Sequence, residues 1–567
     1  MADTRIVRRS AAVTLDADLH PVLRRVYAAR GIGSAAELNL ALGGLLPVGS
    51  LDGIDEAVAL LCEEHARRRS VLVIGDFDAD GATSTALLVR GLRRLGFPDV
   101  GYLVPDRFRF GYGLTPEIVA LAAERDPGLI ITVDNGMSSN AGVAAARDRG
   151  IDVLITDHHL PGASLPAANA ICNPNLPGAA FRSKALAGVG VAFYVLAALT
   201  RRLADGGPQP SAADFLDLVA LGTVADVVPL DRNNRILVAQ GLQRIRAGRS
   251  VPGIAALLAE GGRPVSGTVA SDLGFAAAPR LNAAGRLDDM SLGIECLLAD
   301  DPARARLLAA ELGRLNSERR AIEARMNEEA TAILRRMHLD EGELPLGLCL
   351  FDEAWHHGVV GLVAARAKER LHRPVIAFAP AGDKWLRGSA RSVAGVHIRD
   401  ALDAVAKREP QLLEKFGGHA MAAGLTLHRD RLEAFRRAFA EEIAGRMQPA
   451  DAEGVVVSDG ELAAGELTLA TAEALRAGGP WGSGFPEPVF DGRFAVVDAR
   501  IVGERHLKLR LRIDGAAPVQ DAIAFNFEAG GRTSLPRGGD ILQLAYRLDV
   551  NEYQGSRRPQ LVVEHLW

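Results

Sequence analysis

The chain has 567 residues and a mass of 60.1 kDa, too long for one ordinary hydrophobic core, so about three domains are expected. Lys and Arg number 65 against 70 Asp and Glu, and the formal charge of −5 argues against a protein that holds nucleic acid by bulk positive charge, while leaving room for local basic tracks. The longest apolar run, Val189 to Thr200, stops at Arg201-Arg202, short of the roughly 18 residues a membrane span needs, and MADTRIVRRS opens no secretory signal, so a cytoplasmic chain without membrane contact is expected. Cys62, Cys172, Cys296 and Cys349 are dispersed and read as reduced thiols.

In chain order, the first fifty residues read as a helical preface that ends at Gly43-Gly44 and Pro47-Val-Gly-Ser. Apolar runs then alternate with helical stretches: strands at 71–75, 100–104, 129–133 and 151–156, helices at 82–95, 116–124 and 140–149. That alternation predicts a parallel sheet with right-handed crossovers. A long helix from Pro302 to about Met337, with Asp301 as N-cap and Leu308, Leu312, Leu315, Ile322 and Met326 on one stripe, is predicted to connect two lobes. Strands at 346–351 and 375–378 with a helix at 359–369 predict a second α/β lobe. Short alternating strands from Val489 to the end predict a small β-barrel. The fold class is α/β, with boundaries at 1–49, 50–300, 301–340, 341–450 and 451–567.

Three predicted strands of the first lobe end in acids: Asp76-Phe-Asp78-Ala-Asp80-Gly81, Asp134-Asn-Gly136 and Asp157-His158-His159. In an open parallel sheet the ligand crevice lies beyond the carboxyl ends of the strands, so these groups converge. Carboxylates at that density repel one another unless divalent cations compensate them, and added imidazole suits magnesium or manganese. Two such ions roughly 3.5–4 Å apart serve phosphoester hydrolysis. An EF-hand reading of Asp76 to Gly81 fails because position twelve is Leu87. Asp80 ahead of Gly81-Ala-Thr-Ser is alternatively a helix N-cap.

In order, Asp76-Phe-Asp-Ala-Asp-Gly81, Asp134-Asn-Gly136, Asp157-His-His159 and Gly222-Thr-Val-Ala-Asp226 resemble the motifs of the DHH phosphoesterase superfamily. Pro279 to Arg286, Trp355 to Gly361, Gly388 to Ser392, Phe416 to Gly424 and Trp481 to Phe490 are similar to its single-strand-specific DNA exonuclease branch, from about residue 50 to the end. The resemblance implies a DHH domain, a DHH-associated domain and a C-terminal OB fold. It implies a 5′→3′ exonuclease that releases mononucleotides from single-stranded DNA in repair and recombination, using two manganese or magnesium ions. It also implies metal ligands at Asp78, Asp80, Asp134, His158 and Asp226, with Asp134 bridging, and His159 at the scissile phosphate. Asp76 would be an outer partner or a ligand, and Asp157 would orient the imidazoles.

Asp226 falls on a predicted apolar helix from Phe215 to Val228, where a paired core Asp is the rival reading. Relatives with small substrates carry His four residues before the Asp-x-Asp pair; here that residue is Ile74. The resemblance further implies strand contacts at Arg280, Ser389, Arg391, Gly418 and His419, for which a tight turn at Gly417-Gly418 is the alternative. Pro105 to Gly113, with Arg107 and Tyr112, interleaves cations and aromatics suited to single strands. In the barrel, Arg505, Lys508, Arg510, Arg512, Arg557, Arg558, Tyr546 and Tyr553 are candidates within a segment of balanced charge. The dipeptide Gly-Lys is absent, so an ATP-binding P-loop is not expected and the substrate would come from a helicase or a pre-existing single strand; the resemblance implies a single-strand-binding protein as a further partner. The alternatives are a phosphodiesterase of short oligonucleotides or cyclic dinucleotides, and a non-catalytic scaffold on single-stranded DNA.

Overall fold

The computed structural model describes residues 4–567 except 12, 17, 106–111, 163, 205–210, 337–343, 357, 449–451, 504, 514–517, 528–534 and 554. The first fifty residues are less helical than expected. They begin with strand β1 (Arg5–Arg8), continue into one helix, Pro21–Ala29, and finish in three short 3-10 turns. Glycine and proline from 43 onward interrupt any longer helix.

Five strands form the first sheet: β2 (Val71–Gly75), β3 (Val100–Leu103), β4 (Leu129–Val133), β5 (Asp152–Thr156) and β6 (Ala170–Cys172), all parallel, in the order β3-β2-β4-β5-β6. The chain leaves β2 toward one edge and returns to β4 on the other side. The switch point therefore lies between the carboxyl ends of β2 and β4, where a ligand crevice opens. Every residue of β2 and β4 is buried, since helices cover both faces. Helix Ala79–Arg94 is buried along nearly its whole length against helices Gly188–Arg202 and Leu216–Ala225. Glycine permits that approach: a Cβ at Gly91 would lie 2.5 Å from Leu196 Cδ2, and one at Gly222 would lie 2.2 Å from Thr83 Oγ1. The apolar run at Val189 to Thr200 belongs to this core, and among the described residues no helix is long and apolar enough to cross a membrane.

Helix Pro302–Arg336 is capped by Asp301, whose carboxylate accepts from Ala303 N and Arg304 N at 3.0 and 3.2 Å. Its first turns bury Ala305, Leu308, Leu312 and Leu315 in the first lobe. Met326, Ala330 and Ile333 pack into the second. That lobe holds β7 (Leu348–Phe351), β8 (Val375–Pro380), β9 (Trp385–Arg391), β10 (Lys415–Gly418) and β11 (Ala422–His428), in the order β10-β11-β9-β8-β7. Only β7 and β8 run parallel.

Strand β12 (Val455–Ser458) pairs with β1 in parallel, so the amino-terminal strand docks on the segment that leads into the barrel. Arg8 holds Asp491 through Nε and Nη2, at 3.0 and 2.6 Å, and the indole of Trp567 donates to Thr4 O at 2.9 Å. The barrel closes through β13 (Phe490–Val502), β14 (His506–Arg512), β15 (Gln520–Ala524), β16 (Ile541–Tyr553) and β17 (Ser556–Leu566), in the order β13-β14-β15-β17-β16. Leu507, Leu509 and Leu511 point inward between Lys508, Arg510 and Arg512, as strand alternation dictates. Tyr546 corrects the reading of barrel aromatics: it is fully buried among Phe490 and Phe494, and no base can reach it.

Helix Ala278–Leu287 braces the loop after β2. Asn282 Oδ1 accepts from Ala79 N at 2.8 Å, and a Cβ at Gly285 would lie 1.8 Å from the Phe77 carbonyl oxygen. Gly285→Ala is therefore expected to push that loop away, costing about 1–3 kcal/mol and lowering the melting temperature. A melting curve identical to that of the unaltered protein would contradict this packing.

Candidate metal centre at the switch point of the first sheet

The loop after β2 places three carboxylates within one turn. Asp76 accepts from Phe77 N at 2.8 Å, and Asp78 caps helix Ala79–Arg94 by accepting from Gly81 N at 3.0 Å. The alternative of Asp80 as the cap is thus corrected: the helix begins three residues earlier than expected, and Asp80 lies in its first turn. There its buried carboxylate accepts from Gly188 N and Val189 N at 2.7 and 2.9 Å, at the N-terminus of helix Gly188–Arg202. The positive end of that helix partly offsets the charge.

Asp134 follows β4 with φ +60°, a strained conformation for a residue other than glycine. It packs so closely on Gly188 that a Cβ there would approach its own Cβ to 2.7 Å. Asp157 follows β5 and joins it to the outlet of β4. One of its oxygens accepts from His158 N, His159 N and His159 Nδ1 at 2.7, 3.1 and 2.7 Å, and the other accepts from Met137 N at 2.9 Å. Asp226 lies just past helix Leu216–Ala225 as its C-cap, with Val227 at φ +60° beyond it. The predicted continuous helix to Val228 does not form, so Asp226 is no core residue of a helix. Two side chains were not foreseen. Asn173 and Asn175, just after β6, donate to the carbonyls of His159 and His158 at 2.9 and 2.6 Å and fix the imidazole pair from behind. An Asn-Pro-Asn at a strand end was the available signal.

These elements bring His158 Nε2 within 3.1 Å of Asp134 Oδ1 and 3.5 Å of Asp226 Oδ2. All three atoms are buried, and none has a hydrogen-bond partner. Unpartnered buried polar atoms are costly, and two carboxylate oxygens flanking one imidazole nitrogen fit bound cations there. Ligand atoms of Asp134, His158 and His159, of Asp80, His158 and Asp226, and of Asp76, Asp78 and Asp134 each lie within 4.8 Å of one another. Each set could hold a metal ion, and oxygen-rich sets with imidazole suit manganese and magnesium.

Burial and then the charge of Asp78 push Asp76 and Asp80 up to about 7. Burial and then Asp80 push Asp226 up to about 8, and Asp134 moves well up for the same two reasons. Burial, with His159 beside it, lowers His158 to about 4, which keeps its imidazole neutral and able to ligate. Burial opposes the charge on His159, yet its bond to Asp157 prevails and raises it to about 9. In return, Asp157 stays below the usual range despite its burial.

The strand-contact candidates lie elsewhere. Ser389 on β9 faces Gly424 on β11, which faces Gly417 on β10. Arg391 donates to Ser389 Oγ at 3.0 Å, and Gly361 at the start of helix Val360–Leu371 lies against both. A Cβ at Gly417 or Gly424 would meet nothing within 4 Å, so the sheet is open there. Gly418 has φ +145°, and a Cβ on it would lie 2.4 Å from Ala422 O, so the tight turn alone demands glycine. His419 N closes that turn on Ala422 O at 2.8 Å. Arg280 spends Nη1 and Nη2 on the carbonyls of Ala276 and Glu260 at 2.6 and 3.0 Å, and its Nε has no hydrogen-bond partner. Arg107 lies outside the described residues. A half-open groove of about 980 Å³ borders Asp226 through Ala225 and Val227 and extends to Trp481 and Phe485, stacked at 5.1 Å. There the Arg235 guanidinium lies 4.3 Å from the Phe485 ring centre.

Without metal, Asp76, Asp80, Asp134 and Asp226 hold protons more tightly folded than unfolded. Their contribution to stability is complete below the ordinary value of 3.8; that of Asp76, Asp80 and Asp226 is lost as pH rises through about 7 to 8, and that of Asp134 is likewise lost on the alkaline side. Cations displace these protons, so the rise in melting temperature on adding manganese should be small near pH 5 and grow up to about pH 8. A shift that is independent of pH would contradict this.

Three family models match the chain: the DHH family N-terminal domain over residues 70–223, the DHHA1 domain over 345–445 and the RecJ OB domain over 458–565. The chain is 55% identical over 574 residues to the single-stranded-DNA-specific exonuclease RecJ of Dickeya dadantii, covering 100% of this chain and 99% of that one. Its structure is similar to RecJ of Thermus thermophilus in complex with Mn2+, at a TM-score of 0.77 and 32% identity over 99% of this chain and 80% of that one. The Mg2+ complex of the same protein matches at 0.71 and 31%, over 99% and 78%. With the three domains in this order and more than half of its residues shared with one such protein from end to end, the chain belongs to the RecJ family.

Proposed function

We propose that the chain is a metal-dependent exonuclease that hydrolyses phosphodiester bonds of single-stranded DNA from the 5′ end, releases 5′-mononucleotides and serves DNA repair and recombination in the cytoplasm. The observation that carries this reading is the trio of unpartnered atoms, Asp134 Oδ1, His158 Nε2 and Asp226 Oδ2, inside a ring of carboxylates. Asp78, Asp80, Asp134, His158 and Asp226 would hold two manganese or magnesium ions. Membership of Asp134 in two of the three ligand sets supports its place between them. Bound cations supply Lewis-acid polarisation of the phosphate and a hydroxide at neutral pH.

The remaining work falls to the chain itself. Asp157 fixes His159 through Nδ1, so Nε2 carries a proton toward the scissile phosphate. Asp76, held by Phe77 N, supports the ligand loop as an outer partner. Ser389, Arg391 and His419 would grip phosphate over the open glycine floor, with Gly418 forming the turn beneath. Arg280, whose guanidinium is held by the carbonyls of Ala276 and Glu260, would contribute its positive charge, and Arg107 a further cation. The aromatic groove beside Asp226 is the proposed path of the strand, whose bases stack where a duplex is too wide. A closed barrel suits strand tracking and speaks against a small-substrate phosphodiesterase; intact acidic and imidazole ligands speak against a scaffold. Without a P-loop, the enzyme would take its substrate from a helicase or a pre-existing single strand, and a single-strand-binding protein would be a further partner.

The test incubates the purified protein and manganese with single-stranded DNA labelled at either end, blunt duplex, RNA and a cyclic dinucleotide. Release of mononucleotides from the 5′ end of the single strand is expected, whereas preferred cleavage of the cyclic compound would overturn the reading. Asp134→Ala should lower turnover by about 10³-fold or more while strand affinity changes by less than about threefold. Near-normal turnover in that variant would remove Asp134 from its role.

A further inference from the structure

Tyr112, in the sequence a candidate for contact with single strands, stands in the metal centre itself. Its hydroxyl donates to the carbonyl of Asp134 at 3.2 Å and lies 3.4 Å from His159 Nδ1. The ring is wedged edge-on between two others, with centroids 6.0 Å from His159 and 6.1 Å from Phe77 and interplanar angles of 80° and 79°. Although its hydroxyl end reaches the acidic cluster, the residue remains 46% exposed, so much of the ring faces outward. Its backbone is equally constrained. Gly113 has φ +78°, and a Cβ there would lie 2.9 Å from Ser139 Oγ, which accepts from Leu114 N at 3.0 Å.

We propose that Tyr112 is a positioning residue for His159: its hydroxyl, anchored on the Asp134 carbonyl, sets the orientation of the imidazole, and its exposed ring supports the base of the nucleotide being cut. The logic lies in the direction of the hydrogen bonds. A phenol has one proton, and here it goes to Asp134 O, so the lone pairs of the oxygen turn toward Nδ1. Nδ1 must then carry a proton, shared between Asp157 Oδ1 at 2.7 Å and the phenol oxygen, and Nε2 is the ring atom left to face substrate. Asp157 alone defines one line through the imidazole and leaves rotation about it free. A second acceptor, with an aromatic edge beside it, removes that rotation.

This inference rests on the exonuclease reading, and the experiment separates the two. Steady-state cleavage of a 5′-phosphorylated single strand is measured for the full-length protein, Tyr112→Phe and Tyr112→Leu, together with the manganese-induced thermal shift of each. Tyr112→Phe keeps the ring and loses only the hydroxyl. It should lower kcat by about tenfold or more with KM within about twofold and an unchanged thermal shift. Tyr112→Leu should show the same loss in kcat and a KM raised by about fivefold or more, in line with the loss of one stacked base. Normal kcat in Tyr112→Phe overturns the positioning role, as does a lost thermal shift, which would assign the hydroxyl to assembly of the metal centre. An unchanged KM in Tyr112→Leu overturns the base platform. If the unaltered protein cleaves no single strand, the exonuclease reading itself fails.

Discussion

Mutual repulsion among buried carboxylates is the constraint around which the first lobe is built. Asp76, Asp80 and Asp134 lie within the protein with only a few backbone amides to offset them, and each is pushed toward the protonated form. Such an arrangement is unfavourable for an apo fold, and the surrounding structure pays for it. Helix Gly188–Arg202 aims its N-terminus at Asp80, glycines at 188 and 222 let helices close in, and the backbone of Asp134 is held at positive φ. Cations resolve the conflict. The formal charge of −5 therefore says little about substrate, because much of the relevant acidity is internal to a site that two divalent ions would neutralise.

The parallel sheet makes that concentration possible. With the switch point between β2 and β4, two strand ends deliver their acids to one crevice, and β5 adds Asp157 with the imidazole pair. The fourth source, Asp226, arrives from the end of a helix, which lets the trio with Asp134 and His158 close from the far side. Asp157 links the outlets of β4 and β5, so the imidazoles and the strained Asp134 share one rigid frame.

Much of this architecture was legible because buried parallel strands are continuous apolar runs. Val71 to Gly75 and Leu129 to Val133 were placed to the residue. Strand β6 is only Ala170–Cys172, too short to carry a periodic signal, and the Gly, Ser and Ala positions of β9 to β11 weaken the strand pattern that cross-strand pairing completes. Pairing of β1 with β12 joins residues some 450 positions apart, a relation no local pattern contains. Within the site, residue types at strand ends revealed the acids and imidazoles. The cap at Asp78 was missed because Ala79 and Asp80 look equally able to follow a cap, and only the bond from Gly81 N decides. Arg280 illustrates the limit of carry-over: the motif names the residue, while two of its guanidinium nitrogens already hold backbone carbonyls.

The central claim is that this carboxylate cluster exists to be neutralised by divalent cations. Its most direct test is equilibrium dialysis against manganese near pH 8, with the metal counted per chain in the full-length protein and in an Asp134→Asn, Asp226→Asn double variant. The account predicts two ions in the unaltered protein and loss of tight binding in the variant. No retained metal, or equal retention by both proteins, would contradict it.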